Sequence, residues 1–191
     1  MEERSTTNMV LSILSSIIVI VLMILSIIFQ RKIQSIIFIS LFYTFLITHF
    51  ILNSIMYGTE DDDKREVLSR ISRNFLITAT SIISIYLILL LKSNYKWILF
   101  ITVIVLSILF IIFTSINKLN IIRYILSGII VFTTIFVLSY LKLNIGLKYI
   151  SMISIILLYL IELLGNILKN KVVLSLDIIS LILFGIFLIL K

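Results

Sequence analysis

The side chains able to do chemistry are few. His49 is the single histidine, and Asn53 follows it by four residues, a spacing that puts both on one face of a helix. Glu162 and Asn166 repeat that spacing, Asp177 lies eleven residues beyond Asn166, and Arg123 is an isolated base. All six sit within or at the edge of long apolar runs, where an ionisable group costs about 2.5–3.5 kcal/mol even on the lenient insertion scale. Two carboxylates and an imidazole at one depth can pass a proton or hold a hard cation, since a like-charged pair raises one of its pKa values. The same groups also have a structural use. Glu162 or Asp177 can be protonated or paired with Arg123 or Lys169, while His49 and Asn53 bond a neighbouring helix, at about 0.6 kcal/mol per bond on average.

Depth arguments bring some of these groups together. Glu162 and Asp177 are nearly symmetric about the short polar stretch Lys169–Lys171. Two antiparallel helices joined there would hold both carboxylates roughly 9–12 Å below the turn at 1.5 Å per residue. His49 and Asn53 lie near Gly58, and Arg123 lies near the connection that belongs to the same side, so the intramembrane polar cluster concentrates in one leaflet.

Nucleophilic and metal chemistry find too few parts. Gly-x-Ser-x-Gly, Walker and His-Glu-x-x-His spacings are missing. With one histidine and no cysteine, no stable zinc site, disulfide or thiol chemistry is available, and no cofactor is implied. Phe45-x-x-x-His49-x-x-x-Asn53 resembles, over nine residues, two short motifs of the CAAX-type membrane proteases. That family carries them on separate helices with an intramembrane Glu-Glu pair, whereas Glu2-Glu3 precede the first apolar run here. The expectation is therefore a non-enzyme.

The elements that hold these residues follow from composition. Of 191 residues, 61% are hydrophobic and 13% are charged, which leaves too little polar surface for a water-facing globule. Seven apolar runs approach the roughly 20 residues that cross about 30 Å of hydrocarbon: 9–29, 33–57, 74–91, 97–116, 121–141, 147–168 and 172–190. They are continuously apolar rather than alternating, so the chain reads as an all-α, polytopic transmembrane bundle and not as a barrel. Most connections are so short that consecutive helices must be antiparallel neighbours. Ser12 with Ser16, Thr80 with Ser84, and Gly128, Gly165 and Gly185 are the small residues on which close helix approach should rest.

One connection is different. Residues 58–73 hold Glu60, Asp61, Asp62, Asp63, Lys64, Arg65, Glu66, Arg70 and Arg73, acids first and bases after, the order a helix dipole favours. Thr59 and Asp62 have capping-box spacing, and Asp61 with Arg65 and Glu66 with Arg70 are i,i+4 pairs, so the stretch reads as a charged amphipathic helical extension. The adjacent carboxylates point different ways on a helix, and no Gly-anchored calcium loop follows them.

Lys and Arg number nine on the side of the N-terminus and seven on the other, a small margin for an N-terminus-inside orientation. Abundant Ile, Asn, Lys, Phe and Tyr with a single alanine match A/T-rich codons and a low-GC genome, as in a bacterial cytoplasmic membrane. The bases are scattered singly, which argues against nucleic acid and for lipid anchoring. The functional expectation is an interaction or accessory protein, of the immunity or secretion-accessory type, that meets a membrane-protein partner through its spans and the 58–73 helix. The alternative is a small proton- or cation-coupled transporter or channel using His49, Glu162 and Asp177.

Overall fold

Hydrocarbon offers no partner to a backbone amide, so an apolar chain without proline satisfies its own N–H and C=O groups by running as helix until polar residues reach the interface. The computed structural model describes the backbone of residues 2–30, 32–115, 120–164 and 170–190. It describes their side chains except at 2–6, 115, 120, 121, 123, 158, 161–164, 170–174 and 177. Among the described residues there are seven helices and no strand: α1 (Glu2–Phe29), α2 (Ile33–Gly58), α3 (Asp62–Leu89), α4 (Lys96–Ser115), α5 (Asn120–Tyr140), α6 (Ile145–Leu164) and α7 (Asn170–Leu190). Four of them, Thr7–Phe29 within α1, then α2, α3 and Lys96–Thr114 within α4, are long and apolar enough to cross a membrane. The chain is an integral membrane helix bundle, and α5, α6 and α7 contribute shorter described apolar stretches.

Each helix packs against the next, and two further contacts shape the whole: α1 lies against α7, and α3 against α5. Helices α1, α2, α3, α5, α6 and α7 therefore close a ring, with α4 outside it against α3 and α5. The centre is filled by large side chains from several helices. Phe42 of α2 meets Phe184 of α7 at 5.3 Å between ring centroids, and Phe184 meets Phe187 at 5.4 Å. Ile83, Val131 and Ile155 complete the filling from α3, α5 and α6, leaving between them a cavity of about 10 Å³, the size of one water. Close approach depends on two of the expected glycines. A Cβ at Gly185 would come within 2.8 Å of Leu22 on α1, and one at Gly128 within 2.6 Å of the Tyr159 hydroxyl on α6. Gly165 lies outside the described residues.

The charged stretch is built differently from the sequence expectation. Its first residues belong to the preceding helix and a turn: α2 runs through Gly58, the chain turns at 59–61, and α3 continues unbroken from Asp62 into the membrane span. Thr59 is not the cap, because its hydroxyl donates to the Ile55 carbonyl at 2.8 Å and so closes α2 instead. Asp61 caps α3 with extended backbone, its carboxylate accepting the N–H groups of Asp63 at 3.0 Å and Lys64 at 3.2 Å. That role turns Asp61 away from Arg65. The ion pairs are Asp61–Lys64 at 3.3 Å and Asp62–Arg65 at 2.9 Å, both i,i+3, with Glu66–Arg70 kept at 3.9 Å.

The chain has no native cysteine, so single cysteines can test this topology. Cysteines replacing Asn94 and Asn144 should react with an impermeant thiol reagent from one face of the membrane, and a cysteine replacing Asp63 from the opposite face. Labelling of Asp63 and Asn94 positions from the same side would contradict the antiparallel α3–α4 arrangement.

Candidate functional site

Helix periodicity puts His49 and Asn53 on the face of α2 that packs against α3, where the turn at 59–61 brings Ser72 to their level. Both His49 and Ser72 are buried. Asn53 Nδ2 lies 3.2 Å from His49 Nε2, and an amide nitrogen can only donate, so Nε2 accepts and the ring proton sits on Nδ1. Nδ1–H then donates to the Ser72 carbonyl at 2.8 Å, with Ser72 Oγ also 2.8 Å away. The Ser72 hydroxyl donates to Asn53 Oδ1 at 2.7 Å, and the His49 carbonyl lies 3.1 Å from it as a second acceptor. The loop is closed, with a neutral imidazole and both ring nitrogens engaged. Phe50 covers the ring edge-on at 5.1 Å, and Phe45 and Phe75 meet at a tilt about one turn deeper, 5.6 Å between ring centroids.

This arrangement limits the chemistry. Ser72 beside His49 is not an activated nucleophile, because the imidazole nitrogen facing it already carries the proton and the hydroxyl points to Asn53. Both ring nitrogens are engaged, so neither lone pair is free for a metal. Among the described residues no group of three or more His, Asp or Glu side chains is placed to hold an ion. The site is a polar tie between two helices.

Of the other intramembrane candidates, Asn166 lies outside the described residues, and the side chains of Arg123, Glu162 and Asp177 do as well. Their helices α5, α6 and α7 are described, and α6 and α7 are neighbours, but the facing of the two carboxylates is not among the described geometry. Ser72 is the residue that sequence reasoning missed. It stands twelve residues after Glu60, and His49 stands eleven before it, so the equidistance rule applied to Glu162 and Asp177 pairs these two as well.

The remaining polar groups at this end belong to the start of α3. A helix of 28 residues is about 42 Å long, and hydrocarbon takes about 30 Å of it, so about two turns stand clear of the membrane core. Asp62 and Lys64 are 90% and 74% exposed there. Arg65 Nη2 also donates to the Thr59 carbonyl at 2.7 Å and ties the overhang to the end of α2. Deeper along the helix, Arg70 is 29% exposed, and its Nε, with Asn74 Oδ1 and, on α1, Asn8 Oδ1 and Ser12 Oγ, is buried without a hydrogen-bond partner among the described residues. Family models, curated proteins and solved structures yield no match to this chain, so the site stands on its own geometry.

If the tie is one unit, its parts should not be additive. Ser72→Ala and Asn53→Leu should each lower bundle stability by about 0.6–1.7 kcal/mol, and the double variant by clearly less than the two combined, because they share a bond. A double-mutant cycle by reversible detergent unfolding measures this, and strict additivity would dissolve the network.

The cap carries a pH signature. Asp61 is held below its ordinary value of 3.8, first by the Lys64 N–H, then by the Lys64 ammonium and the Asp63 N–H. A carboxylate with a depressed folded pKa stabilises the helix start above its unfolded pKa, and that contribution disappears as pH falls through the folded one. Amide exchange at Asp63 and Lys64 should thus rise only under strong acid, and Asp61→Ala should raise it already at neutral pH. Unchanged exchange in the variant would remove Asp61 from the capping role.

Proposed function

We propose that the protein is a non-enzymatic, multi-pass membrane partner of the accessory or immunity type, recognising another membrane protein through the overhanging start of α3. The observation that carries this reading is the overhang itself: about two helical turns beyond the hydrocarbon, bearing Asp62, Asp63, Lys64, Arg65 and Glu66 on a capped, internally paired helix. A preordered charged helix loses little freedom on binding and presents a defined pattern of both signs, which favours specificity. His49 supports the same reading, since its ring is consumed in holding α2 to α3. The filled bundle centre supports it too, with Phe42, Ile83 and Phe184 packed where a transport path would run. We further place the protein in a bacterial cytoplasmic membrane with its N-terminus and the α3 overhang inside, on the Lys/Arg excess and the A/T-rich composition.

Charge reversal confined to the exposed positions, Lys64→Glu with Arg65→Glu, tests the proposal without disturbing the partly buried Arg70 and Arg73. A photoreactive residue at Asp63 should give a discrete protein adduct in cells of the source organism, and the double reversal should abolish it. Glu162→Gln and Asp177→Asn should leave the adduct intact. Proteoliposomes showing a proton or cation flux that Asp177→Asn abolishes would replace this reading with the transporter.

A further inference from the structure

The ionisable residues are divided unequally between the two ends of the bundle. Antiparallel packing puts the α1–α2, α3–α4 and α5–α6 connections at one end, and Gln30 Nε2 donating to the Leu188 carbonyl at 2.9 Å brings the end of α7 to the same level. By sequence, all nine Asp and Glu residues belong to the segments of the opposite end, where nine bases accompany them, while the seven remaining bases share this end with no Asp or Glu. The net charge of +7 is therefore the charge of one end. Lys32, Lys92 and Lys142 are exposed there, and the ion pairs among the described residues all lie at the other end.

Two further lysines among the described residues are oriented but not neutralised. Lys148 Nζ reaches back from α6 to the Ser139 carbonyl of α5 at 3.0 Å, and Lys96 Nζ sits 5.4 Å from the centre of the Trp97 ring. Around them stand exposed aromatics, with Tyr95 at 71% and Tyr140 at 67%, joined by Trp97 and Tyr149. Tyr and Trp favour the headgroup level, where an apolar ring body meets lipid and a polar edge meets water. Lysine ammoniums among such rings are placed at the depth of phosphodiesters.

We infer that this cationic, aromatic-ringed end is a docking surface for anionic phospholipid, the phosphates of the adjoining leaflet supplying the negative charge that the chain itself lacks there. The opposite end has no such requirement, because its acids equal its bases in number and three ion pairs form there among the described residues. The surface thus discriminates between headgroups by charge while the aromatics hold the depth, and each lysine near an anionic leaflet adds to the attraction.

The test is lipid retention by the intact, purified protein taken from bilayers of equal phosphatidylglycerol and phosphatidylcholine, read by native mass spectrometry. At low ionic strength the co-purifying lipid should be enriched in phosphatidylglycerol by about tenfold, and the enrichment should collapse near 1 M salt, where screening acts within about 3 Å. Replacing Lys92, Lys96, Lys142 and Lys148 by Gln should bring the ratio to that of the bilayer, while Lys64→Gln with Arg65→Gln should leave it high. Enrichment in the wild type that ignores salt, an absence of enrichment, or equal loss in both variants would overturn the inference. The salt series alone decides it if the fourfold variant does not fold.

Discussion

Hydroxyl hydrogen bonds between helices are the interaction on which the rest of this bundle depends. In hydrocarbon the usual driving force for burying apolar side chains is absent, because lipid tails are as apolar as isoleucine, so close packing and polar contacts must hold the helices together. The chain meets this with small hydroxyls at nearly every helix pair. Ser26 meets Tyr43 between α1 and α2, Tyr86 donates to Ser35 between α3 and α2, and Ser107 donates to Ser81 between α4 and α3. Ser84 and Thr134 tie α3 to α5, and Tyr159 bonds the Tyr124 carbonyl from α6 to α5. Between α6 and α7 the contact is reciprocal: Ser154 donates to the Ser180 carbonyl at 2.7 Å and Ser180 to the Ser154 carbonyl at 3.0 Å. The His49–Asn53–Ser72 loop is the largest member of this set.

Length places the charges. At 28 residues each, α1 and α3 are both longer than about 30 Å of hydrocarbon needs, and the first turns of α3 carry the densest charge. Those turns need their own supports, and Asp61 at the cap, the i,i+3 pairs and the Arg65 bond to Thr59 supply them. Arg70 marks the boundary: its Nη2 reaches out toward Glu66 while its Nε is already buried.

The sequence made the helical class, the approximate positions of the helices and the shared face of His49 and Asn53 legible, because apolar run length and a four-residue spacing are geometric facts. It did not disclose which faces look inward. Isoleucine serves lipid and core alike, so Ile39 is wholly buried and Ile24 is half exposed with nothing in their identity to distinguish them. Ser72 was hidden for a similar reason, since serine is frequent in these spans and its role depends on what stands opposite. The cap was misplaced by competition: Thr59 and Asp61 both suit a helix start, and the Ile55 carbonyl takes the threonine. The arrangement of Glu162, Asn166 and Asp177 falls outside the described side chains, so the sequence argument for that pair stands alone.

The Gln30 contact with Leu188 joins the first helix to the seventh across 158 residues of chain. A ribosome delivering this protein must therefore release six helices before the one that completes the ring is made. Until α7 enters, the Leu22 side chain of α1 that Gly185 will accept lacks its neighbour. Assembly is thus a matter of order in time as well as of contact in space. A chain arrested before α7 would hold an open crescent rather than a closed bundle, an unfinished surface that membrane quality control could read.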